Sequence, residues 1–259
     1  MSYIKALSIA PAVNDWLANS RRSRILHVFD QACNLINDRG QVLSIVTPQI
    51  GNGPFNLVIE DDVFFSEHLH EQSSISIHGS QLHLGDITVN TADANLWSPL
   101  PEWETLHAKR DDILTRLQSF PIPDFQFPNF LSSSIANADL PSSIAAARQL
   151  AGLGIGLTPS GDDYIMGAIY AAWIVHPANV AKVFAREIAN TAASLTTSLS
   201  AAWLRSAGKG EAGILWHEFF NALIAGDNVG IQLQIDKLLS VGETSGADAL
   251  SGFLGTFVC

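Results

Sequence analysis

The densest collection of groups able to do chemistry is Gly152-Leu153-Gly154-Ile155-Gly156-Leu157-Thr158-Pro159-Ser160-Gly161-Asp162-Asp163, which runs straight into the apolar segment 164–175. Four glycines in ten positions let backbone N–H groups approach a ligand closely, and the start of a helix adds unpaired donors and partial positive charge. A small anion suits such a place. Ser160 stands three residues before Asp163, the spacing of a capping box in which each side chain satisfies the other's backbone N–H. Capping explains part of this pair, but not a second carboxylate, Asp162, beside it. Adjacent carboxylates can bind a divalent cation or act as a general base, and they repel a bare anion unless a metal or an arginine intervenes.

The skeleton S-G-x-D-x-x-x-G of residues 160–167 recurs at Ser245-Gly246-Ala247-Asp248-Ala249-Leu250-Ser251-Gly252. In each copy the spacing predicts a capping serine, an aspartate at the third helical position, and a glycine one turn on that admits a neighbouring helix. Two such helix starts converging on one pocket would explain both, although capping boxes also recur by chance. Between them, Thr196-Thr197-Ser198-Leu199-Ser200 gathers the hydroxyls of Thr196, Thr197 and Ser200 on one side of a helix. There they either line the same pocket or bond back to the preceding turn. Arg205 and Lys209 follow within a few turns, as a source of positive charge or as a solvated helix end. Glu67-His68-Leu69-His70-Glu71 has alternating imidazoles but lacks the further ligands of a metal site. Gly51-Asn52-Gly53-Pro54-Phe55 reads as a turn before a strand.

Two kinds of element position these groups. From Arg24 to Leu96, apolar residues come in short runs such as Val42-Leu43-Ser44-Ile45-Val46, or alternate as in Ser74-Ile75-Ser76-Ile77-His78, between turns rich in Gly, Asn and Asp. This predicts antiparallel strands. Beyond Pro99 to Pro101 the spacing changes to three and four, which predicts helices over 103–120, 142–150, 161–175, 178–206, 214–225, 229–239 and 246–257. In the long third alanine-rich one, Val180, Phe184, Ile188, Ala192, Leu195, Leu199 and Trp203 form one apolar stripe. The expected fold is therefore α+β: a β-rich antiparallel part over residues 1–100, then an all-helical, alanine-rich part over 101–259 that carries the site.

The net charge of -11, with no dense run of Lys or Arg, leaves no footprint for a phosphate backbone and argues against nucleic acid. Only Cys33 and Cys259 are present, too few for a disulfide framework or a cysteine metal cluster. No secretion signal opens the chain, and its longest uncharged apolar run, 164–175, is short of the ~20 residues that span a bilayer. A cytoplasmic protein away from the membrane is expected. With 47% hydrophobic and 15% charged residues, partner subunits covering part of the surface are expected too.

The run G-I-G-L-T-P-S-G-D-D-Y-I-M-G closely resembles the hallmark of a bacterial family associated with the AllH subunit of oxamate carbamoyltransferase. The turn G-N-G-P-F at 51–55, the cluster T-T-S-L-S at 196–200 and the late G-E-T-S-G-A-D-A-L-S-G at 242–252 resemble the same family. The resemblance implies a role in purine or allantoin nitrogen catabolism, in which oxalurate and phosphate are exchanged for oxamate and carbamoyl phosphate. It also implies a multisubunit complex and no redox cofactor. On this reading the N–H groups of Gly154, Gly156, Leu157 and Gly161 hold the anion, with Thr158 and Ser160 orienting it. Asp162 or Asp163 handles a proton or a magnesium ion, and Thr196, Thr197, Ser200, Ser245, Gly246 and Asp248 complete the pocket. Two alternatives stay open: a non-catalytic subunit that binds a small carboxylate or acts as a scaffold, and a metal-dependent hydrolase built on Asp162 and Asp163.

Overall fold

The computed structural model describes residues 2–61, 63–118, 120 and 130–257. The Pro- and Phe-rich stretch 121–129 and Cys259 lie outside the described residues. The chain divides into two compact units, Met1–Pro99 and Leu100–Cys259.

The first unit is a nine-stranded sheet with the path β2-β3-β4-β5-β1-β8-β7-β6, where β1 is Ser2–Ile9, β2 Ser23–Val28, β3 Ala32–Asn37, β4 Val42–Val46, β5 Asn56–Ile59, β6 Ile75–His78, β7 Gln81–Leu84 and β8 Ile87–Asn90; β9, Asn95–Leu96, pairs with β1 off this path. The edge strands β2 and β6 approach one another, so the sheet nearly closes on itself. Pairing is mostly antiparallel, but β1 runs parallel to β8 and β9, and β4 parallel to β5. The expectation of antiparallel strands alone is corrected at these pairs. β4 and β5 are buried along their whole length, as uninterrupted apolar runs in parallel pairs are.

Two elements precede the expected first strand. β1 buries Ile4 and Ala6 and exposes Tyr3 and Leu7, a period-two pattern that sends alternate side chains to opposite faces, until a bulge between Ala6 and Ser8 shifts it and buries Ile9. α1, Pro11–Asn19, starts on a proline and buries Val13 and Trp16. The 51–55 turn is held from within: Gly51 has φ +74°, Asn56 Nδ2 donates to Gly51 O at 2.9 Å, and Ser8 Oγ donates to Asn52 Oδ1 at 2.6 Å. His68 ends the one-turn helix α2, Phe65–His68, and both His68 and His70 are exposed. Among the described residues no group of three His, Cys, Asp or Glu is placed to hold a metal ion.

The second unit is helical: α3 Trp103–Ala108, α4 Arg110–Leu117, α5 Phe130–Ala136, α6 Leu140–Leu150, α7 Ser160–Val175, α8 Ala178–Ala193, α9 Ser198–Gly208, α10 Ile214–Ala225, α11 Asn228–Leu239 and α12 Ser245–Gly255. The helix expected over 103–120 divides into α3 and α4 at Lys109. α7 is apolar on nearly every side and is the buried axis of the unit, as an all-round hydrophobic helix must be. Around it pack α12, α8, α9, α3, α5 and α6, with an aromatic cluster of Trp103, Tyr170, Trp216, Phe220 and Phe253 at one side.

The single helix expected over 178–206 is two helices, because the chain leaves helical geometry at 194–197. Thr197 has extended backbone (φ -66°, ψ 159°) and its side chain accepts the Ser200 N–H, capping α9. A run of hydroxyl residues offers the backbone a cap in place of one more helical turn, and the cap wins here. Leu195, assigned to the apolar stripe by its spacing, is consequently 48% exposed.

α7 and α12 run in the same direction, and their backbones touch. A Cβ on Gly167 would lie 1.8 Å from Ala249 O, and one on Gly252 would lie 1.9 Å from Tyr164 O. The relation is reciprocal, since Tyr164 and Ala249 occupy the same place in the two copies of the repeat. The starts of the two helices are locked in the same way: a Cβ on Gly161 would meet Leu150 O at 2.0 Å, and one on Gly246 would meet Leu238 O at 1.7 Å. The second unit thus contains a local, approximate two-fold arrangement of two turn-and-helix segments.

These four glycines should tolerate no side chain. Gly167→Ala or Gly252→Ala is expected to destabilise the full chain by about 3 kcal/mol or more, the upper end of overpacking costs, because the obstacle is backbone. Gly79→Ala, at a φ of +58° with open space around it, should cost only the ~1–2 kcal/mol of a left-handed alanine. Urea unfolding of the three variants checks the ranking.

Candidate functional site

The two helix starts sit side by side. Thr158 Oγ1 and Ser245 Oγ are 3.2 Å apart, and Ser160 Oγ and Thr244 Oγ1 are 3.4 Å apart. Neither serine caps its helix, as the spacing had predicted. The capping positions are Pro159 and Thr244, neither with a side-chain cap bond, so Ser160 and Ser245 are the first helical residues and Asp163 and Asp248 the fourth. A proline before the helix has no side-chain oxygen to offer, and its carbonyl takes the N–H groups of Asp162 and Asp163 at 2.8 and 3.2 Å. The serine hydroxyls are thereby released to meet across the gap between the helices.

The adjacent aspartates have opposite fates. Asp162, 1% exposed, accepts the Gly152 N–H on Oδ1 at 2.9 Å and the Ser200 hydroxyl on Oδ2 at 2.8 Å. The Thr196 hydroxyl also donates to Oδ2. Its carboxylate is fully engaged in tying the glycine turn to α9 and the residues before it. Thr197 Oγ1 completes the tie by donating to Leu157 O at 2.6 Å. The hydroxyls of Thr196, Thr197 and Ser200 therefore hold the turn in place.

Asp163 is 7% and Asp248 5% exposed, and the Oδ2 atom of each is buried with no hydrogen-bond partner. Burial pushes the Asp163 carboxyl up to about 8, against the ordinary 3.8; hydroxyls of Ser245 and Thr158 pull it down, and the neighbouring charges of Asp248 and Asp162 push it further up. A buried carboxyl with an unanswered oxygen prefers to hold a proton. Among the described residues no ion pair reaches it: Arg205 and Lys209 are exposed at the end of α9, and the ion pairs lie elsewhere.

The glycine turn supplies donors. Among the described residues, the N–H groups of Gly154, Ile155, Gly156, Leu157 and Thr158 have no acceptor, while Gly161 and Gly246 spend theirs on Leu153 O and Val241 O at 2.9 and 3.1 Å. Gly161 and Gly246 act as spacers that let the helices pack. Gly154 (φ +118°) and Gly156 (φ +93°) shape the turn, and Ile155 between them is 96% exposed. The second copy makes its turn over the shorter stretch 240–244, where the N–H groups of Gly242, Glu243 and Thr244 likewise have no acceptor among the described residues.

Two parallel, glycine-locked helix starts thus bring four hydroxyls together beside a turn with free amide donors, with the buried carboxyls of Asp163 and Asp248 in the first turn of each helix. Groups of these kinds can bind small oxygen-rich anions and move protons. A family model described as oxamate carbamoyltransferase subunit AllH matches residues 150–257, the segment that contains both helix starts. A second, described as the AllH family N-terminal domain, matches residues 5–96. The chain belongs to the AllH family and is a subunit of oxamate carbamoyltransferase. Being a subunit implies further subunits of that enzyme. No solved structure matches the chain. No helix among the described residues is long and apolar enough to cross a membrane.

Two stability measurements separate the aspartates. Asp162→Ala strands two hydroxyls and an N–H, and should cost about 2–4 kcal/mol, read as a fall in Tm on the order of 10 °C for a unit of this size. For Asp163 the sign follows from linkage: a carboxyl with a raised folded-state pKa binds more protons folded than unfolded, so its contribution is lost as pH rises from about 4 to about 8. Asp163→Asn should therefore be nearly neutral at about pH 3.5, gain on the wild type steadily up to about pH 8, and flatten the slope of Tm against pH.

Proposed function

We propose that this chain holds the anionic reactants of oxamate carbamoyltransferase at the paired starts of α7 and α12. The observation that carries this reading is the row of N–H groups at 154–158 without an acceptor among the described residues, in the turn that leads into Thr158 and Ser160, whose hydroxyls meet those of Ser245 and Thr244. Helix starts aimed alike add their dipoles, and backbone donors bind phosphate or carboxylate without the cost of ordering a long side chain. The substrates are oxalurate and phosphate, exchanged for oxamate and carbamoyl phosphate.

In this arrangement the turn N–H groups grip phosphate or carboxylate oxygens, the hydroxyls orient them, and amide donors also meet the negative charge that develops on the carbamoyl oxygen. Asp162 positions the turn. Asp163 with its raised pKa is the group suited to exchange a proton at neutral pH. The other subunits supply what remains of the site, so the isolated chain binds without turning over.

Thermal shift with phosphate, oxamate, oxalurate and carbamoyl phosphate, each added singly to the full chain, tests binding. A ligand at 100 times its Kd should add about 2.7 kcal/mol, a rise on the order of 5 °C, and Thr158→Val or Ser245→Ala should lose most of it. No shift with any of the four, in a chain whose melting is otherwise cooperative, contradicts the reading. Phosphorolysis of oxalurate should appear only when the chain is mixed with its partner subunits.

A further inference from the structure

Each of the two turns folds back on the helix that follows it. A Cβ on Gly154 would lie 2.7 Å from Ser160 N, and one on Gly242 would lie 3.3 Å from Ser245 Oγ. Both glycines have positive φ, +118° and +61°. The N–H groups without an acceptor among the described residues, at 154–158 and at 242–244, therefore stand at the starts of α7 and α12 respectively. Each start also has a carboxyl in its first turn, Asp163 or Asp248, that is more than nine-tenths buried and has an Oδ2 atom with no hydrogen-bond partner. The hydroxyls of Thr158 and Ser245 that bond the Asp163 carboxyl leave that oxygen unanswered. A buried acceptor requires a donor, and a helix start lined with N–H groups requires an anion. The repeat has thus produced the same pair of opposite demands twice, once at each helix.

Oxamate and carbamoyl phosphate meet that pair of demands. Each has a primary amide at one end, which donates, and a carboxylate or phosphate at the other, which accepts. We infer that the starts of α7 and α12 are two separate subsites, each for a small anion that carries an N–H donor, so that the two amide-bearing reactants lie side by side, one to a helix. This inference rests on the reading of the site given above and divides that site in two. The longer row of donors, 154–158, suits the three terminal oxygens of a phosphate, and the shorter row, 242–244, the two of a carboxylate. Asp163 and Asp248 accept the amide N–H groups of the ligands at α7 and α12 in turn. A ligand placed end for end would set its negative charge against a buried carboxyl and its N–H groups against backbone donors, so each subsite admits one orientation. Oxalurate is oxamate with a carbamoyl group on its nitrogen. It takes the α12 subsite by its carboxylate and extends the carbamoyl group towards phosphate at α7.

Backbone amide NMR of the full chain locates both ligands without requiring turnover. Phosphonoacetamide, which has a methylene in place of the ester oxygen of carbamoyl phosphate, should move the N–H signals of 154–158, and oxamate those of 242–244. Saturation with either should leave the other free to bind at its own row. Mutual displacement means one shared cradle and overturns the inference, as does one row that answers both probes while the other stays unmoved. Anion binding of that kind leaves the proposed function standing, whereas no shift with either probe sinks the function and the subsites together.

The carboxyl role is read with pyruvate, which has the size of oxamate but a methyl in place of the amide nitrogen. Oxamate should bind the wild type at least about tenfold more tightly, the scale of one hydrogen bond to a charged or buried acceptor. Equal affinities in the wild type overturn the role and need no variant. Asp248→Ala should bring the two affinities together, and a preference for oxamate that persists undiminished in that variant also overturns it.

Discussion

The close approach of α7 and α12 governs the rest of the second unit. Ordinary helices are kept apart by side chains, and here glycine removes them at reciprocal points, so that backbone lies on backbone. Because the two helices run in the same direction, their starts come together instead of facing opposite ends of the unit. The hydroxyl contacts across the gap, the burial of Asp163 and Asp248, and the presentation of the glycine turn beside them all follow from that approach. Antiparallel packing would have put a negative helix end beside each positive one and kept the two helix starts apart.

Neighbouring residues of one type are divided by helical rotation. Successive positions in a helix point about 100° apart, so Asp162 turns towards α9 and the hydroxyls of Thr196 and Ser200, while Asp163 turns towards α12. One carboxylate is saturated with donors and serves as a structural tie. The other is left in a dry environment with an oxygen unanswered, and its proton affinity rises. The chemical difference between them is entirely one of surroundings.

The glycine-rich segment, the repeat and the helical character of the second half were legible in the sequence because each is a local pattern. The close-approach role of Gly167 and Gly252 followed from their spacing and is what the structure has. The convergence of the two helix starts was legible only as a hypothesis, since no spacing fixes which helices pack. Three readings were lost for identifiable reasons. Capping by Ser160 and Ser245 failed because Pro159 and Thr244 took the capping positions and shifted the register by one residue. The break at 194–197 was masked by apolar spacing that runs through it. β1 was not legible because its alternation spans only Tyr3 to Leu7 before a bulge at Ala6/Ser8 breaks it, and long-range pairing with β5 and β8 makes it a strand.

The two halves of the local two-fold are not equal, for one connects its helices through the glycine turn and the other through a shorter, tighter one. A symmetrical cradle would accept a ligand equally well in either of two opposed poses. Lengthening one wall removes that degeneracy: the longer turn bends through Gly154 (φ +118°) and Gly156 (φ +93°) and carries Ile155 out to 96% exposure, so the two sides present different backbones. The unequal turns thereby impose direction on a scaffold whose helices, taken alone, have none.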